Sequence, residues 1–128
     1  MEMATIGATE AGGCNRQALT TEDKAGRDCL LNWCQQAGYT TRIDAIGNIF
    51  AHREGLRDLP PVLAGSHLDT QPTGGKFDGI YGVLAALEVL NTLDDEQIET
   101  LRPLEVAVWT NEEGSRFPCA MMGSAVWA

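Results

Sequence analysis

Apolar and polar positions follow two rhythms along this chain. Between Thr20 and Gly38 the spacing is helical: Ala25, Cys29, Leu30, Trp33, Cys34 and Ala37 fall on one face. Thr20 or Thr21 can cap that helix, Glu22 and Asp23 suit its positive end, and Gly38 stops it. Tyr39–Ile43 and Ile49–His52 read as two strands, with Asp44–Asn48 as the turn between them. Val62–Gly65 is a short apolar run, a candidate buried strand that ends at Ser66–Thr70. From Gly79 to Leu93 a helical stripe returns, through Val83, Leu84, Leu87, Val89 and Leu90. Pro103–Trp109 alternates and is rich in β-branched residues, so it predicts another strand. Residues 1–19 are Gly-rich and weakly patterned, and Ser124–Ala128 opens one more element. Strands alternating with helices predict an α/β domain: a mixed, mostly parallel sheet flanked by helices.

The chain has 128 residues and is 44% hydrophobic, enough for one domain with a core. Its formal net charge of −9 argues against a nucleic-acid partner. No run approaches the roughly 18 apolar residues of a membrane span. The start, Met1 to Gly7, has no basic segment followed by an apolar one, so no signal peptide is expected. Cys14, Cys29, Cys34 and Cys119 form no CxxC pair and are expected to be reduced thiols in a cytoplasmic protein.

The chemistry gathers where strands end. His67 and Asp69 follow the Val62–Gly65 run, Asp78 stands before the second long helix, and Glu112 and Glu113 follow the Pro103–Trp109 strand. In open α/β sheets ligands collect beyond the carboxyl ends of strands. An imidazole and carboxylates are the donors of a catalytic zinc, and two ions can share a carboxylate. Asp69 is two residues from His67 on an extended segment, so it can accept from the imidazole N–H not used for metal. Asp78 suits a bridge. Of the adjacent glutamates, one can ligate while the other acts as general base. Singly these features are bland: His-x-Asp is common, Asp-Gly marks turns and paired glutamates often lie in solvent. Their joint placement favours a metal site. His52, with no acid or Cys at ligand spacing, reads as a strand residue.

Two longer motifs make the reading specific. Gly65-Ser-His-Leu-Asp-Thr-Gln-Pro-Thr-Gly-Gly-Lys-Phe-Asp-Gly79 and Trp109-Thr-Asn-Glu-Glu-Gly-Ser-Arg-Phe-Pro118 resemble the M20 metallopeptidase clan. Within it they resemble the amidohydrolase branch of N-carbamoyl-L-amino-acid hydrolases, β-ureidopropionases and allantoate amidohydrolases. The resemblance runs from about Ile6 to the end of the chain. It implies two divalent metal ions, zinc or else manganese or cobalt. His67 would ligate one, Glu113 the other, and Asp78 would bridge them. Glu112 would be the general base, with Asp69 as the orienting partner of His67. A cis peptide after Asp78 is implied too. The implied reaction is hydrolysis of a linear C–N amide or ureide bond in a small-molecule substrate, with Glu112 carrying the proton from water to the leaving nitrogen.

The same family uses two further histidines and a smaller dimerisation domain, neither of which is found in residues 1–128. The chain therefore reads as the N-terminal part of a catalytic domain whose full-length parent is a homodimer. On its own it is expected to be inactive. Two rivals stand beside this reading: an M20 aminoacylase or dipeptidase, and an inactive truncated chain with an incomplete metal site.

Overall fold

The computed structural model describes residues 2–128. A 3₁₀ turn at Glu2–Thr5 leads by a long loop into helix α1, Thr21–Gln36. Strands β1 (Thr40–Ile43) and β2 (Ile49–Arg53) follow, then β3 (Val62–His67), helix α2 (Ile80–Asp95), strand β4 (Leu104–Trp109) and helix α3 (Met122–Trp127). The sheet is mixed, in the order β1-β2-β4-β3. β1–β2 and β2–β4 pair antiparallel, while β3 and β4 run parallel. Helix α2 makes the crossover that a parallel pair requires.

Local sequence explains most of these boundaries. The Thr20 side chain accepts from the Asp23 amide, as an N-cap should, and Gly38 takes a φ of 86° just past the last turn. The β1–β2 hairpin is closed by Asp44, whose carboxylate accepts from the amides of Ile46 and Asn48. Asn48 is buried and reaches further. Its side chain accepts from the Thr110 amide and donates to the Gly123 carbonyl, which ties the hairpin to the end of β4 and the start of α3.

Ile49, Ala51, Val106 and Val108 line the sheet face that packs on Leu30 and Cys34 of α1 and on Ile80, Val83, Leu87 and Leu90 of α2. Burying side chains of this size contributes about 1.5–3 kcal/mol each. The opposite face of β2 and β4 is covered as well. Phe50 meets Trp109 edge to face at 5.9 Å, Trp109 packs on Trp127 of α3, and the Arg42 guanidinium lies 3.7 Å over Phe50.

Three expectations change. In α1 the buried positions are Asp23, Gly26, Leu30 and Cys34, while Ala25 and Ala37 face solvent. Leu30 and Cys34 are buried and Cys29 and Trp33 pack on the core as expected, and the buried face extends to Gly26, where a Cβ would lie 2.8 Å from Arg16 Cδ. Among residues 2–128 β3 lies at the edge of the sheet, and its Val62, Ala64 and Gly65 are exposed where the apolar run predicts burial. His52 does have acidic neighbours. The β2–β4 register sets it opposite Glu105, whose carboxylate lies 3.1 Å from Nδ1, and Glu54 lies 3.5 Å from Nε2.

All four cysteines are free. Burial pushes the Cys34 thiol up to about 11, and Cys14 is buried too, whereas Cys119 is exposed. Because the thiolate is the reactive form, a disulfide-exchange reagent at pH 8 is expected to label Cys119 first. Cys14 and Cys34 should react only on unfolding, a pattern that peptide mass mapping would check. Among the described residues no helix is long and apolar enough to cross a membrane.

Candidate metal centre

The parallel pairing of β3 with β4 builds the site. His67 is the last residue of β3 and lies opposite Trp109, the last of β4, so both chains leave the sheet at the same edge. Beyond β3 come Leu68, Asp69 and the loop to Asp78. Beyond β4 come Thr110 to Glu113. Asn111 turns that second exit with a φ of 51°, and its buried amide donates to the carbonyls of Phe117 and Cys119.

His67, Asp78 and Glu113 each bring a ligand atom into one group, all within 4.8 Å of one another. His67 is buried, Glu113 partly so, and Asp78 is exposed at the head of α2. His67 Nδ1 lies 2.8 Å from the Asp69 carbonyl oxygen. A carbonyl only accepts, so Nδ1 carries a proton, and in the neutral ring the Nε2 lone pair is the one left for a ligand. Glu112 places Oε2 3.4 Å from that Nε2.

Residues of this set fit a divalent cation. The donors are one neutral imidazole and two carboxylates, the chemistry zinc prefers. Glu113 Oε1 is buried with no hydrogen-bond partner, and a bare carboxylate oxygen is costly to bury unless something positive faces it.

Asp69 works differently from the expected imidazole acceptor. Its carboxylate is 3.8 Å from His67 Nδ1, and the backbone carbonyl takes that proton instead. The two carboxylate oxygens accept the amides of Glu112 and Glu113 at 3.2 and 3.1 Å. Geometry dictates the exchange. Asp69 is fully buried beneath the turn after β4, where two adjacent N–H groups would otherwise go unpaired. Asp69 thus orients the histidine by its backbone and the glutamates by its side chain.

The expected cis bond at Asp78–Gly79 is also absent, since the described residues contain no cis peptide. Gly79 turns the chain with φ 67° and ψ −54° and sits over the imidazole, where a Cβ would lie 2.6 Å from His67 Nε2.

Two residues with no role in the sequence reading support the site. Gln71 donates from Nε2 to Glu113 Oε2 at 2.7 Å. Arg16, 1% exposed, donates to the Leu68 carbonyl at 2.8 Å and to Ile6 at 2.8 Å, and its amide donates to Thr70 Oγ1 at 2.7 Å. Gln71 lies inside the motif but offers no chemical signal of its own. Arg16 sits in a stretch with no periodicity to predict burial. Asp23, beneath the same region, has its carboxyl raised by burial, against the pull of Arg27.

The chain is also similar to known proteins. Residues 63–127 match peptidase family M20/M25/M40. The chain is 53% identical over its whole length to an N-carbamoyl-L-amino-acid amidohydrolase of Rhizobium meliloti, of which it covers 31%. It is 38% identical over 99% of its length to a ureidoglycolate hydrolase of Arabidopsis thaliana, covering 27% of it. A hydantoinase/carbamoylase family amidase from Burkholderia ambifaria superposes with a TM-score of 0.96 at 60% identity, over 98% of this chain and 31% of that one. The chain thus spans about a third of the length of the relatives it matches.

Proposed function

The chain belongs to peptidase family M20/M25/M40, and from that premise we propose that the whole protein hydrolyses a linear C–N amide or ureide bond, with an N-carbamoyl-L-amino acid as substrate. The observation that carries the reading is the convergence of His67, Asp78 and Glu113 within 4.8 Å, with a bare Glu113 oxygen among them. The relatives named as amidohydrolases and ureidoglycolate hydrolase support the bond type.

In this proposal His67, Asp78 and Glu113 would hold the divalent ions, with Asp78 as the shared carboxylate. The ions would be zinc, or manganese or cobalt. When bound, they would polarise the scissile carbonyl and acidify water. The chain's own residues do the rest. Glu112, poised 3.4 Å from His67 Nε2, takes the proton of the attacking water and returns it to the leaving nitrogen. Asp69 holds Glu112 and Glu113 by their amides. His67 would offer Nε2 to an ion, because Nδ1–H donates to the Asp69 carbonyl. Residues 1–128 would form part of the catalytic domain of a homodimer. The four free thiols suit the cytoplasm.

A chimaera provides the test. This chain replaces the matching 31% of the R. meliloti amidohydrolase, and the product is assayed for ammonia released from N-carbamoyl-L-amino acids and for amino acids released from dipeptides. The expected result is metal-dependent ammonia release with no dipeptide cleavage. A folded, metal-loaded chimaera that cleaves only dipeptides would overturn the substrate assignment.

A further inference from the structure

We propose that Gln71 is a positioning residue that fixes which oxygen of Glu113 faces the metal. This rests on the metal-site reading above and goes beyond it, because Gln71 is not itself among the proposed ligands.

A carboxylate on a flexible stem can offer a cation either oxygen or both. Glu113 is not free to choose. Gln71 Nε2 donates to Oε2 at 2.7 Å, while Oε1 is buried and without a partner. One oxygen is thereby occupied and the other is left for the ion. The donor type matters as well. A carboxamide N–H is neutral, so it holds the carboxylate without cancelling the charge that attracts a cation. A lysine or arginine at the same place would satisfy Glu113 and compete with the metal.

Gln71 is itself held. The Thr70 amide donates to the Arg16 carbonyl at 2.9 Å, the Thr70 hydroxyl donates to the Gln71 carbonyl at 2.9 Å, and the Gly74 amide donates to that carbonyl at 3.2 Å. The backbone of Gln71 is thus tied to buried structure while its side chain crosses exposed ground to Glu113. Asp69, two residues earlier, grips the Glu113 amide at 3.1 Å. One short segment therefore fixes Glu113 at both ends, backbone and carboxylate.

Cobalt(II) titration of the chimaera tests this, because the visible bands of the bound ion report its ligand set directly. Gln71→Leu is expected to weaken cobalt binding about 10- to 100-fold, the usual cost of losing a residue that orients a ligand, and to change the band shape. The thermal midpoint of the metal-free protein should stay unchanged, since the side chain is exposed. In a Glu113→Ala background, Gln71→Leu should cause no further loss. Cobalt binding unaltered by Gln71→Leu, or an equal loss with Glu113 already removed, would overturn the assignment. A folded chimaera without these substitutions whose cobalt binding is absent or indifferent to His67→Ala would overturn the metal site and this role together.

Discussion

Glu112→Gln in the chimaera is expected to lower kcat by about 10²- to 10⁴-fold, the usual contribution of a positioned general base. Metal content should be unchanged. The two glutamates are adjacent in sequence but differ in surroundings. Glu113 has one oxygen held by Gln71 and the other buried and bare. Glu112 is partly exposed, with Oε2 3.4 Å from His67 Nε2 and no hydrogen bond to hold it. A carboxylate that must accept and release a proton needs such freedom, whereas a ligand needs the opposite. Glutamine keeps the shape and the amide anchored to Asp69 but cannot take the proton. Full turnover by Glu112→Gln, measured as ammonia release with metal content checked in parallel, would show that the base lies elsewhere.

Gly79→Ala is expected to raise the dissociation constant for zinc or cobalt at least 100-fold and to destabilise the chain by about 2–4 kcal/mol. Two effects combine. A residue with a side chain is strained at φ 67° and ψ −54°. The new methyl group would also strike the imidazole, 2.6 Å from Nε2 and close to two other ring atoms. The ring must swing away, and it carries the nitrogen proposed to meet the metal. Gly38→Ala separates the two effects. Its φ is 86°, but nothing lies within 4 Å of the added Cβ. That variant should lose about 1 kcal/mol in urea unfolding and bind metal normally. Unaltered metal binding by Gly79→Ala would mean that the histidine can serve from another rotamer.

Much of this site can be read from residue order, for a physical reason. His67, Asp78 and Glu113 are chemically distinctive, and the apolar runs before His67 and Glu112 mark strand ends where ligands gather. Helix α1 was readable from Thr20 to Gly38 because caps and stops are local. Long-range properties were not readable. Nothing near Val62–Gly65 distinguishes an edge strand from a central one, since order in a sheet depends on partners 40 residues away. The burial of Gly26 in α1 depends on Arg16, which packs against it from a loop with no periodicity. His67-x-Asp69 can be read as two neighbours, but only the turn after β4 reveals that the Asp69 carboxylate accepts the glutamate amides. Gln71 carries no signal until Glu113 is seen beside it.

The β3–β4 pairing would make the proposed metal site a gauge of correct assembly. Gly65 is pressed against Ala107, whose carbonyl oxygen a Cβ would strike. The same ladder brings His67 beside Trp109. A slip of one residue would shift His67 about 3.3 Å along the strand and turn it onto the other face, away from the glutamates. Ion uptake at the proposed site would therefore report that two segments far apart in the chain have met in the right frame.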